Sequence, residues 1–213
     1  MTISLYLVRH GQTNVNLQDA TLVNGLYPQA RLTAKGHTQA ESLGRYFTDR
    51  QINFDRVYCS SIQRARHTLQ SLHQKHPIDL DSVIYDYTLR ERSQGKWEGK
   101  TQSEVYTLET VQQIHQQGSW FTPPGGESYQ DLTLRAANWF HQEFLPLPTE
   151  TTPESSVLII SHCLFIRALL HYIFGFSEQY FRKIKIKNTS ITELTLSPTG
   201  ITCQYVNTTP HLN

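Results

Sequence analysis

Arg9 and His10 follow directly on the apolar run Ile3 to Val8, with Gly11 behind them and Asn16 a little further on. A run of that kind reads as a buried strand, and strand ends are where an open α/β sheet presents its ligand-binding groups. A second cluster, Tyr58 to Ala65, again follows a strand pattern and opens a helical one, with Arg64 inside it; a third, Ser161 and His162, closes the run from Val157. Such junctions offer free backbone N–H groups and the positive end of a helix dipole. Two guanidinium forks suit the oxygens of a phosphoryl group, for which a lysine is only a point charge. Among them, a neutral imidazole can attack phosphorus in line and split a slow hydrolysis into two easier steps through a phosphohistidine. Neighbouring cations keep His10 neutral, and a hydrogen bond from its other nitrogen to a backbone carbonyl would fix the attacking tautomer.

A departing alkoxide needs a proton donor. Glu91 is the choice, because it comes just after a strand pattern and before the glycine-punctuated turn Gly95 to Gly99; Trp97 is expected to roof it and raise its pKa. Glu98 is the competitor.

Short apolar or β-branched runs at 3–8, 55–59, 82–85 and 157–161 predict strands, and helical patterns lie between them. Ala40, Leu43 and Phe47 share one face, Ile62, Ala65, Leu69 and Leu72 a second, Leu132, Ala136 and Phe140 a third, the last with Ser128 as its N-cap before Asp131. The stretch 164–174 is apolar almost all round and is stopped by Gly175, as a central helix on a sheet would be. Runs at 190–196 and 201–206 flank Ser197-Pro198-Thr199-Gly200 and predict an edge hairpin. The expected fold is an α/β three-layer sandwich: a mostly parallel central sheet, helices on both faces, and an antiparallel edge. One domain over 1–213 is expected, with a lid-like insertion at about 97–128 that carries Trp97, Trp120, Phe121, Pro123 and Pro124.

The net charge of +1 carries none of the excess basicity of a nucleic-acid or anionic-membrane partner, so any anion site must be local. Three scattered cysteines, Cys59, Cys163 and Cys203, make neither a disulfide framework nor a closed zinc site. With no export signal or membrane-length apolar stretch evident, a cytoplasmic location is expected. Ten histidines invite a metal, yet none falls in an HExxH pattern and arginines around an imidazole repel cations, so neither catalytic metal nor cofactor is expected. His73, His76, His115 and His141 read as solvated surface, Cys59 as a buried small hydrophobe, and Arg66 and His67 as turned away from the cluster.

The segments LVRHGQTNVN at 7–16, LTAKGHTQA at 32–40, YCSSIQRARHT at 58–68, LRERSQGKWEG at 89–99, PGGES at 124–128, SH at 161–162 and the tail from Asn207 occur in an order that resembles the histidine phosphatase superfamily, the phosphoglycerate mutase-like proteins with an RHG signature. That resemblance implies His10 as nucleophile, Arg9, Arg64 and His162 holding the phosphoryl group, Asn16 orienting it, and Glu91 as the acid that later activates water. One departure is Cys163, where the family usually has glycine: its backbone N–H still serves a phosphate, while its side chain is expected either to narrow the pocket or to be open to oxidation. Gln12, Thr13, Gly25, Arg92 and Trp97 are the candidates for the substrate pocket. Specificity is assigned to 20–31 and 97–128, with Arg92, Lys96 and Lys100 available to a second anionic group.

Mutases of this family that use bisphosphoglycerate carry an arginine pair in the insertion, whereas Gly118 to Pro124 has none here. The expectation is therefore metal-independent hydrolysis of small phosphomonoesters through phospho-His10. A phosphoglycerate mutase, a phosphoprotein phosphatase and a non-catalytic phosphate-binding protein are the alternatives. Oligomeric state is left open, a homodimer among the options.

Overall fold

Six strands form one sheet in the order β3-β2-β4-β1-β5-β6: β1 (Ile3–Arg9), β2 (Arg56–Ser60), β3 (Ile84–Asp86), β4 (Ser155–Ser161), β5 (Ile191–Ser197) and β6 (Gly200–Thr208). The computed structural model describes residues 2–17, 21–149, 151, 153–177 and 183–212. Of the 20–31 specificity stretch, Ala20 lies outside them, as do the first and last residues of the expected 1–213 domain. The first four strands in that order are parallel; β5 runs antiparallel to β1, and β6 antiparallel to β5.

The alternation of side chains along each strand explains the three layers. Tyr6, Val8, Val57, Cys59, Leu158 and Ile160 point to one face, where they pack with Leu43 and Phe47 of α1 (Ala34–Asp49) and Leu69 and Leu72 of α2 (Gln63–His73). Leu5, Leu7, Tyr58, Val157 and Ile159 point to the other, against Trp139 and Phe140 of α5 (Tyr129–Phe144) and Phe165 and Leu169 of α6 (Cys163–Phe174). Each fully buried Leu, Ile or Phe contributes about 1.5–3 kcal/mol relative to exposure, so strands apolar on both faces are stable only when covered on both. The capping chemistry follows the residues: Ser128 and Asp131 form a reciprocal capping box on α5, Thr33 accepts the Gly36 N–H at the start of α1, and Gly175 ends α6 in the left-handed conformation. Two short helices, α3 (Gln102–Val105) and α4 (Leu108–Gln117), occupy the 97–128 stretch.

Register brings the site together. Arg9 lies opposite Ser161 across the β1–β4 ladder, and Cys59 opposite Ile160 across β2–β4. Ser60, the last residue of β2, and His10 and His162, which follow β1 and β4, therefore emerge on a single rim. Gly11 is required there because a Cβ on it would stand 2.5 Å from the Gly36 carbonyl oxygen, where the loop after β1 crosses the first turn of α1.

Two expectations need correction. The strand placed at 82–85 begins later, because Asp79 accepts the Asp81 N–H and winds Leu80–Ser82 into a 3-10 turn; β3 is an edge strand with Ile84 and Tyr85 exposed. His76 is not at the surface but 2 % exposed. The chain turns back under α1 after α2, and the ring meets Phe47 and Phe54 edge-on, with Nδ1 3.0 Å from the Thr48 hydroxyl. Burial accordingly pushes its pKa down.

Candidate active site

His10 is 1 % exposed, and Arg64 and His162 are fully buried. The His10 and His162 ring centroids lie 5.2 Å apart, and the Arg64 Nε–H stands between them, donating to His10 Nε2 at 3.1 Å and to His162 Nδ1 at 3.2 Å. The Gly11 carbonyl settles the His10 tautomer, and the Arg64 N–H on Nδ1 settles that of His162. His10 Nδ1 donates to the Gly11 carbonyl at 2.8 Å and His162 Nε2 to the Ser60 hydroxyl at 2.8 Å, so each ring turns a lone pair toward the guanidinium. Desolvation, then Arg64, hold both imidazoles well below their usual pKa, and Arg9 lowers both further. Arg64 itself is brought down to about 10, chiefly by burial, which leaves it a cation at neutral pH.

Several donors here are buried without a partner: Arg9 Nε, Arg64 Nη1 and Asn16 Nδ2. Other arms of the same side chains are committed. Arg9 Nη1 donates to the Ile186 carbonyl at 2.7 Å, Arg64 Nη2 to the Gly25 carbonyl at 2.8 Å, and Asn16 Oδ1 accepts the Thr13 N–H at 2.8 Å. Leaving a buried N–H unpaired costs about 1–3 kcal/mol. Three such groups on two arginines and an asparagine describe a built anion site, and a tetrahedral anion has the acceptors to satisfy them.

A cavity of about 290 Å³ borders the cluster at Arg9 and Asn16 and is lined also by Gly25, Glu91, Cys163 and Leu164 among others, with His10, Arg64 and His162 buried behind that lining. The Glu91 carboxylate accepts the Leu164 N–H at 3.1 Å, in the first turn of α6, and the Arg92 N–H at 3.0 Å. Its segment is stapled from behind. Arg135 of α5 makes a two-bond pair with Glu127 at 2.8 Å each and donates to the carbonyls of Thr88 and Arg90, while the Ser161 hydroxyl donates to the Leu89 carbonyl at 2.7 Å. Burial pushes the Cys163 thiol pKa upward, away from a reactive thiolate.

The other candidates divide. Gly25 lines the cavity, with φ +55° where a Cβ would strike the Glu98 carboxylate and Gln94. Glu98 is committed to the Gln94 N–H at 2.8 Å. Gln12 is turned away, its Oε1 accepting from the Thr33 hydroxyl, and Thr13 is fully buried with its backbone bridged to Leu32. Arg92 lines the neighbouring cavity rather than the one at Glu91; it donates to the Glu127 and Phe121 carbonyls and stacks 4.3 Å above the Tyr129 ring. Trp97 does not line the Glu91 cavity; it stacks on Phe121 at 5.5 Å in the neighbouring one. Arg66 lies over Tyr85, and His67 stacks on His37, both away from the cluster as expected. Four contributors escaped the sequence reading: Ser60, Thr68, whose hydroxyl accepts the Gly11 N–H at 2.9 Å, Asn188, whose amide donates to the His10 carbonyl at 3.0 Å, and the Arg135–Glu127 staple. Ser60 ends β2 on the same rim and was readable from its position; Asn188 comes from a segment with no periodicity.

Comparison with known proteins follows the same lines. A curated relative, the 2,3-bisphosphoglycerate-dependent phosphoglycerate mutase of Bartonella henselae, is 32% identical over 182 residues, covering 84% of this chain and 85% of the mutase. The fructose-2,6-bisphosphatase TIGAR of Xenopus tropicalis is 33% identical over 138 residues, which is 64% of this chain but only 48% of that protein. Among solved structures, the alpha-ribazole phosphatase of Shigella flexneri superposes with a TM-score of 0.79 at 22% identity, covering 96% of each chain. The family model of the histidine phosphatase superfamily (branch 1) matches residues 5–209, and this chain belongs to that superfamily.

Proposed function

We propose that the protein is a metal-independent phosphatase of small phosphomonoesters, with His10 as the group that accepts the phosphoryl. The observation that carries this reading is the neutral His10 ring whose Nε2 lone pair adjoins Arg64, beside three buried donors without partners on Arg9, Asn16 and Arg64. Those donors hold the equatorial oxygens, with His162 and the Cys163 backbone N–H completing the cradle. His10 Nε2 attacks phosphorus; the bond to the ester oxygen breaks, and Glu91 in its acid form delivers a proton to the departing alcohol. The resulting Glu91 carboxylate then takes a proton from water as that water attacks the phosphohistidine, releasing phosphate and returning His10 and Glu91 to their starting forms. The charge on the transferred group grows at oxygens met by fixed guanidinium and amide donors, which is where preorganised electrostatics lowers a barrier most.

Hydrolysis is favoured over transfer to a second acceptor because the 97–128 stretch contains no arginine. The Bartonella relative makes mutase activity the second reading. A phosphate-release screen over small phosphoesters, with 3-phosphoglycerate isomerisation assayed in parallel and a His10→Ala control, separates them. Phosphate release that vanishes in His10→Ala is expected, and isomerisation exceeding release would favour the mutase.

A further inference from the structure

Beside the Glu91 cavity lies a second of about 170 Å³, walled by the rings of Trp97, Tyr106, Phe121 and Tyr129 with Ile114, and bordered by the Arg92 side chain, which is committed to two carbonyls and to the Tyr129 face. Gln94 and Tyr106 line both, so the two spaces share a wall. The aromatic walls are set by one another: Trp97 stacks on Phe121 with an interplanar angle of 29° and meets Tyr106 at 70°. At the shared wall Gln94 is 8 % exposed, and its Oε1 is buried with no hydrogen-bond partner. Its backbone N–H donates to Glu98 Oε1 at 2.8 Å, which fixes the main chain at the junction. A cavity of about 150 Å³ has room for one benzene ring, so this aromatic-walled space, with Arg92 and Gln94 as its polar border, matches one flat ring in size and excludes a large fused system.

We infer that this cavity is a subsite for the leaving group, which carries a single aromatic ring a short linker away from the phosphoryl oxygen, with Gln94 Oε1 accepting from an N–H or O–H on that group. The inference rests on the phosphatase reading for the placement of the phosphoryl group. It adds a substrate class: arylalkyl phosphomonoesters rather than phosphorylated sugars or short acids, which present neither an aromatic face nor comparable apolar area. Binding of the ring removes apolar surface from water on both partners, and the stacked walls offer it an offset or edge-on face.

The test compares 2-phenylethyl phosphate with propyl phosphate, whose leaving alcohols have similar acidity, so that the chemical step is matched and only the ring differs. Both kcat/KM in the intact protein and Kd in His10→Ala, measured by calorimetry, are read. The phenyl ester is expected to be preferred by about tenfold or more in each, which corresponds to about 1.4 kcal/mol. Ile114→Trp, which fills the cavity, should bring the two esters to within about twofold of each other; Ile114→Phe replaces it where the tryptophan variant does not fold. Equal affinity for the two esters, or a preference that survives filling of the cavity, would overturn the subsite. Absence of turnover with either ester, together with a tenfold difference in binding, would overturn the phosphatase reading and leave the subsite standing.

Discussion

Lowering the pH should destabilise this protein through the two histidines that face Arg64. Both rings are fully buried and held neutral, chiefly by desolvation and then by the guanidinium. Their folded pKa values lie below the unfolded value of about 6.5, so the unfolded chain binds protons that the folded one refuses. The stability contribution is therefore complete above about pH 6.5 and is lost as the pH falls toward the folded pKa. For a ring that stays neutral when folded, lowering the pH from about 7 to about 5.5 costs about 1.3 kcal/mol, or about 2.5 kcal/mol for the pair. Urea unfolding at the two pH values measures this directly. His76 and His211 are also depressed and add to the total, but they cancel when the wild type is compared with His10→Ala. The variant should lose about 1.3 kcal/mol less than the wild type over that interval, whatever its absolute stability. An identical pH dependence in the two proteins would refute the claim that His10 is buried neutral beside Arg64.

Glu91→Gln should slow hydrolysis of alkyl phosphates by about 10²-fold or more and of nitrophenyl phosphate far less, since nitrophenolate departs without a proton; equal slowing of both, measured as kcat/KM, removes Glu91 from the acid role. Arg64→Lys keeps a charge but loses the Nε–H shared by the two histidines, and kcat/KM should fall by about 10²-fold; a change under about threefold would mean that the fork geometry is irrelevant. Gly11→Ala drives a methyl against the Gly36 carbonyl oxygen at 2.5 Å and should cost about 1–3 kcal/mol, read as a lower urea midpoint with an unchanged slope.

The parts of this molecule visible in its sequence are those whose pattern is local. The two-face alternation of Leu5 to Val8 and Val57 to Cys59 announces a doubly covered sheet, and Ser128 with Asp131 announces a helix start. Arg9, His10, Arg64 and His162 stand at strand ends or in the first turn of a helix, so knowing the strands is enough to bring them to one rim. The directions of longer side chains were not legible, because they depend on what the rest of the chain places nearby. Gln12 is drawn off by Thr33, while Arg92, held by two carbonyls and a tyrosine ring, and Trp97, stacked on Phe121, line the cavity next to the one at Glu91. His76 went to the core because the turn after α2 passes beneath Phe47 and Phe54, an event of tertiary packing that helix periodicity does not encode. Glu127 and Arg135 carry no chemistry of their own and so attract no notice until their pair is seen holding the Glu91 segment.

Mixing the protein with a phosphoester labelled at phosphorus, quenching within the first turnover under alkaline conditions that preserve phosphoramidate, and locating the label by mass spectrometry tests the central claim most directly. The expected result is a phosphoryl group on the His10 imidazole in the wild type, accumulating further in Glu91→Gln with nitrophenyl phosphate and absent in His10→Ala. A label on any other residue, or undiminished turnover in His10→Ala, would contradict it.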